Sequence, residues 1–289
     1  MKRRTSAAVT RITFNSTSNM NNRFSTIDGY FLQDDESTKA KTFNFKIQNF
    51  GLKPFKRSEK DKRKTSWQRL EAKVDELNAT SKGLAKYKLL FIGRHSEAKQ
   101  QKDGFSDEAD EENWQDPSLT QTGARQAKEA NMFWLYQLLR EDMSLPQRFY
   151  SGPQKKCLET AQITYSNLAE DESPLVVTVK DTLRTKADGL IERRRPKTEI
   201  QTGHPTFNFE EDFTETDQLW ETIAPDSDDH ADQRMESFLE KLFDEDESSF
   251  ISLTVDAGAV AAFLRVLGHR DFDLPPAHII PVLVKQLVK

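Results

Sequence analysis

The run Lys86-Tyr87-Lys88-Leu89-Leu90-Phe91-Ile92-Gly93-Arg94-His95-Ser96 decides the fold. Polar and apolar residues alternate at its start and then give way to continuous apolar residues, the pattern of a strand that enters the middle of a sheet. The strand stops at a glycine and delivers an arginine and a histidine at its carboxyl end, where open α/β sheets gather their ligands. Further strands are expected at Phe149-Tyr150-Ser151, at 175–179, at 250–255 and at 279–288. Between them, helical spacing predicts a long helix from Thr122, capped by Thr120 or Thr122, and further helices over 155–168, 229–243 and 259–267. Strands alternating with helices predict an α/β domain, a three-layer architecture with a mostly parallel sheet flanked by helices.

The chain has 289 residues, 36% hydrophobic and 31% charged, with a formal charge of −5. That length allows one large core, and that polarity implies that part of the chain is solvated. The single cysteine, Cys157, excludes a disulfide framework and a cysteine-type zinc site and points to a reducing compartment. No apolar run approaches the roughly 18 residues of a membrane span, so a soluble protein is expected.

The first 80 residues read as a basic tail, a docking extension and a linker, and 81–289 as the main domain. Residues 1–27 are basic, rich in Ser and Thr and free of Asp and Glu. That composition suits a mitochondrial transit peptide or a plain disordered tail. Phe31, Phe43, Phe45, Ile47 and Phe50 give residues 28–52 enough apolar surface to dock on the domain. The basic cluster from Lys53 to Lys64 fits a nuclear signal or a solvated linker, and the lack of interleaved aromatics speaks against nucleic-acid binding. Trp67, Leu70, Val74 and Leu77 are spaced for one short amphipathic helix. The acidic stretch within 99–118 lacks calcium-loop spacing and reads as a solvated loop.

Lys155 and Lys156 fall in the first turn of their helix, where cations oppose the helix dipole by about 0.3–1 kcal/mol each. An anion held between the free N–H groups and those lysines would remove the conflict. The plain alternative is two surface lysines.

Several segments, in order, resemble the histidine phosphatase superfamily, the phosphoglycerate-mutase-like proteins. They are Arg94-His95, then Leu119-Thr120…Gly123…Gln126-Ala127, then Ser151…Pro153…Cys157-Leu158-Glu159-Thr160. Gly29-Tyr30-Phe31, Phe213-Thr214-Glu215-Thr216-Asp217…Leu219-Trp220 and Phe250-Ile251-Ser252-Leu253-Thr254 are similar to the fungal branch. The resemblance implies a metal-independent phosphatase or phosphomutase without a cofactor, acting on a phosphorylated small molecule. It implies that His95 attacks phosphorus and becomes a phosphohistidine, that Arg94 and Lys156 hold the phosphoryl oxygens, and that Asp226 protonates the leaving oxygen. Composition suggests a cytoplasmic protein, with a nuclear or, through residues 1–27, a mitochondrial site as alternatives; no nucleic-acid or membrane partner is expected.

The chain departs from the family pattern at most of these positions. Ser96 stands where the family has glycine, Lys156 where it has arginine, and Asp226 where it has glutamate. Asp256 replaces the second phosphate-holding histidine, and the run after Leu183-Arg184 is altered to Thr185 and then Glu192-Arg193-Arg194-Arg195. Lysine keeps the charge but loses the planar fork of arginine. A carboxylate about 4 Å from a phosphate charge repels it by roughly 4 kcal/mol at an effective dielectric near 20. Asp256 would therefore hold phosphate only when protonated, which predicts an acidic optimum. The remaining histidines, His204, His230, His269 and His278, are expected in structural or exposed positions, His269 at a helix end and the others in loops. Two readings follow: weak or altered phosphomonoester hydrolysis, or a pseudophosphatase that retains the fold for binding or regulation.

Overall fold

Leu89, Leu90, Phe91 and Ile92 are almost wholly shielded from solvent because strand β2 (Ala85–Arg94) lies inside the sheet. In the computed structural model, which describes residues 23–54, 63–99, 115–169, 175–185, 192–221 and 227–288, its neighbours are β6 (Phe250–Val255), parallel to it, and β7 (Ile279–Leu287), antiparallel. With β1 (Phe24–Thr26), β3 (Arg148–Ser151), β4 (Val177–Val179) and β5 (Asn208–Phe209), the order is β1-β7-β2-β6-β3-β4-β5. β2 to β5 form a parallel set, and β7 and β1 add an antiparallel edge.

Adjacent strand residues point to opposite faces, and β3 shows what covers each. The Phe149 ring meets Tyr165, which follows helix α3 (Lys155–Thr164) and contacts Trp134 of α2 (Gln121–Arg140). The Tyr150 ring meets Phe238 of a helix over Asp228–Glu245, and Phe238 touches Phe263 of a helix over Ala257–Val266. Two short helices, α4 (Lys197–Gly203) and α5 (Gln218–Glu221), lie between α3 and these two, which are therefore α6 and α7. The layers are helix, sheet, helix, as the sequence predicts.

Residues 28–52 do more than dock on the surface. Phe31, Phe43, Phe45 and Phe50 are buried in the main core, with Ile47 left exposed. The Phe50 ring meets Trp67 of α1 (Ser66–Thr80), Phe91 of β2, and Phe133 and Trp134 of α2. Buried Gln33 donates to the carbonyls of Phe50 and Pro281, tying this segment to β7.

Two helix boundaries differ from expectation for identifiable reasons. α3 ends at Thr164 rather than 168, because the Tyr165 hydroxyl is drawn to Ser252 and Thr254 on β6 and Asn167 takes a left-handed φ of 55°. α7 begins at Ala257 rather than 259, because Asp256 caps it by accepting from the Ala259 N–H at 2.8 Å. His230 lies in the first turn of α6 rather than in a loop. Among the described residues, no helix is long and apolar enough to cross a membrane.

Candidate active site

β2, β6 and β3 run parallel, so their carboxyl ends meet at one edge of the sheet. The His95 N–H donates to the Val255 carbonyl at 3.0 Å and the Gly152 N–H to the Thr254 carbonyl at 2.9 Å. These bonds bring Arg94, His95, Lys156, Thr185, Glu192 and Asp256 to a cavity of about 400 Å³. Four residues expected to form the site, Arg94, His95, Lys156 and Asp256, thus meet at one place. Asp226 lies outside the described residues, as do most of the 1–27 segment and much of the basic and acidic loops.

The His95 ring has a defined tautomer. Nδ1 lies 2.6 Å from the Ser96 carbonyl; a carbonyl only accepts, so Nδ1 carries the proton and Nε2 the lone pair. Burial, reinforced by the nearby Lys156 cation, lowers the imidazole pKa to about 4, so the ring is neutral at physiological pH. Ser96 is fully buried and its N–H donates to Thr160 Oγ1 at 2.9 Å.

Lys156 is buried rather than a surface lysine, and its ammonium lies 2.8 and 2.9 Å from the two carboxylate oxygens of Glu192. Burial works against its charge, but Glu192 overrides that and holds the ammonium above the usual lysine range. The Lys155 N–H donates to the Asp116 carboxylate at 2.7 Å. The anions that the start of α3 calls for are therefore supplied by the chain itself. Burial raises Asp116 to about 7, against the pull of the Lys155 and Arg195 N–H bonds.

Asp256 faces the cavity while serving as a structural acceptor. Besides the Ala259 N–H, it takes the Thr185 N–H and the Thr185 hydroxyl, both at 2.8 Å. Arg94 donates one guanidinium N–H to the Leu274 carbonyl at 2.9 Å, and among the described residues its buried Nε has no partner. Arg184 turns away from the cavity into a buried ion network: it forks onto Asp217, which also accepts the Arg194 N–H, while Arg194 Nε reaches Asp181 at 3.1 Å. This network fixes the segments that carry Thr185 and Glu192. The other histidines lie elsewhere, with His204 stacked on Phe207 and His269 beside Asp34. Burial pushes the Cys157 thiol well up, which removes it as a nucleophile.

Glu192 and Thr185 are the pocket residues whose roles the sequence does not reveal. One signal pointed toward Glu192, the two lysines opposing a helix dipole, but it called for an anion without saying which.

Sequence comparison places this sheet edge, with its neutral histidine among charged side chains, in a known superfamily. Residues 90–281 match the histidine phosphatase superfamily (branch 1), and the chain belongs to that superfamily. It is similar to "Probable phosphoglycerate mutase" of Arthroderma benhamiae, 34% identical over 282 residues that span 91% of this chain and 84% of that protein. It is also similar to "Phosphomutase-like protein 3" of Candida albicans, 31% identical over 176 residues, 59% of this chain and 53% of that one. Among solved structures it is similar to the ecdysone phosphate phosphatase of Bombix mori in complex with tungstate. That likeness has a TM-score of 0.44 at 13% identity and covers 66% of this chain and 87% of the other.

Proposed function

We propose that the protein hydrolyses a phosphomonoester slowly, through a phosphohistidine on His95. The observation that carries this reading is the ring itself: Nδ1 anchored on the Ser96 carbonyl, and the neutral ring lining a cavity with Arg94 and Lys156. The Nε2 lone pair attacks phosphorus, and the bond to the leaving oxygen breaks as Asp226 gives that oxygen its proton. Arg94 and Lys156 take the charge gathering on the phosphoryl oxygens. Water then attacks the phosphohistidine, the N–P bond breaks, and inorganic phosphate leaves.

Slow turnover follows from the opposing charges. Phosphate must draw Lys156 from Glu192, and it meets Asp256 where the family has an imidazole. The same ion pair supports the second reading, a pseudophosphatase, because an ammonium already gripped by a carboxylate on two oxygens is poorly available to phosphate.

An assay with a generic aryl phosphate from pH 4 to 8 separates them. The hydrolysis reading predicts turnover that is lost in His95→Ala, by on the order of 10³-fold or more for a nucleophile. A silent wild type, or equal rates in both proteins, contradicts it.

A further inference from the structure

We propose that Glu192 and Asp256 make this pocket selective for phosphomonoesters that carry a cationic group, such as an aminoalkyl phosphate. This inference rests on the phosphomonoester reading of the same cavity and names its substrate class.

Among the described lining residues the charged side chains are balanced: Arg94, Lys99 and Lys156 face Glu97, Glu192 and Asp256. His95 is neutral and contributes nothing to that balance. A simple phosphomonoester brings about two negative charges into a pocket with no surplus of positive charge. The conflict is sharpest in the buried part. Lys156 and Glu192 side chains are only 8% and 16% exposed, and Asp256 is 4% exposed.

When a phosphoryl group takes Lys156, Glu192 loses its counter-ion while shielded from water and keeps the neutral Gln154 amide as a donor, and a buried charge without a counter-ion is costly. A ligand that carries its own ammonium removes that cost by pairing with the carboxylate it has displaced. Asp256 acts in the same sense. Among the described residues its oxygens accept hydrogen bonds from neutral donors, the Thr185 N–H and hydroxyl and the Ala259 N–H. Lys156 and Arg184 feel its charge at a distance, but none of the described residues makes a contact ion pair with it, and it favours a cation in the cavity. Glu97 and Lys99 are exposed at the cavity mouth, where solvent screens them.

Ethyl phosphate and O-phosphoethanolamine differ by one ammonium, which makes them a matched pair for titration calorimetry on wild type, Glu192→Gln and Asp256→Asn. Wild type is expected to bind O-phosphoethanolamine about 10-fold more tightly than ethyl phosphate, a factor that corresponds to about 1.4 kcal/mol. Glu192→Gln is expected to strengthen ethyl phosphate and shrink the preference to within about twofold. Asp256→Asn, which keeps an acceptor for the α7 cap, should move the ratio the same way and carries the test if Glu192→Gln does not fold. Equal or tighter binding of ethyl phosphate by wild type overturns the inference, and so does an unchanged preference in both variants. Binding of neither ester overturns it together with the phosphomonoester reading. Selective binding without phosphate release supports the inference and overturns hydrolysis alone.

Discussion

The two walls beside His95 are held together in different ways. On the α2 side, the Thr120 N–H donates to the Glu97 carbonyl at 3.0 Å, Glu97 N–H to Gln126 Oε1 at 2.9 Å, and Leu119 N–H to Glu159 Oε2 at 2.7 Å. Thr120 also caps α2. On the other side, Glu192 holds Lys156 and Asp256 holds Thr185, each through a carboxylate that faces the cavity. The first wall anchors backbone N–H groups on carbonyl and side-chain acceptors, and at Gly123 its packing leaves no room for a side chain. The second depends on side-chain charge, which can be rearranged while the fold persists.

The largest effect expected from breaking this contrast is on the first wall. A Cβ on Gly123 would overlap the Glu97 carbonyl, a backbone atom that cannot turn aside. Gly123→Ala should destabilise the protein by about 3 kcal/mol through overpacking, measured by denaturant unfolding. A loss below about 1 kcal/mol would mean that the 95–99 segment is free to move.

A smaller effect is expected on the second wall. Asp256→His removes the acceptor of three donors, Thr185 N–H, Thr185 Oγ1–H and Ala259 N–H. It should cost about 1–3 kcal/mol, and on its own it should give no large gain in phosphatase rate. Unchanged stability with a strong rate gain would show that the hydrogen bonds of Asp256 are dispensable.

The smallest effect joins the two walls through pH. His95 is depressed to about 4, so its contribution to stability is present above the ordinary histidine value of 6.5 and is lost as pH falls toward 4. Asp116 is raised to about 7, so its contribution is present below 3.8 and is lost as pH rises through 7. Between about pH 4 and 6.5 the two oppose each other, and folding transfers a proton from one to the other with little net uptake. Replacing His95 with the neutral His95→Asn should unmask Asp116, so that the variant gains stability relative to wild type as pH falls from 6.5 to 4. Parallel unfolding curves at pH 7 and 5 check this, and a wild type and variant that respond identically would contradict it.

Much of the fold was legible in the sequence because β2 and β6 are buried on both faces, and β2 leaves the continuous apolar run from Leu89 to Ile92. The true place of Phe45 and Phe50 was not legible, since burying them depends on rings from α1, β2 and α2 that are distant in the chain. The same holds for the early end of α3, set by a Tyr165 hydroxyl reaching across to β6. Within the site, Arg94 and His95 stand out at the carboxyl end of a strand, while Lys156 and Asp256 could be named through the resemblance to the histidine phosphatase superfamily. Glu192 and Thr185 could not, because their roles come from tertiary partners at Lys156 and Asp256. Asp226 lies outside the described residues, and its assignment as proton donor still rests on sequence alone.

The most direct test of the central claim is to quench the protein during turnover of an aryl phosphate, at a pH that preserves phosphohistidine, and to map the phosphoryl group by mass spectrometry. The account predicts a phosphoryl group on His95 that disappears when the substrate is exhausted. Turnover with His95 unmodified, or with the label on another residue, would contradict it.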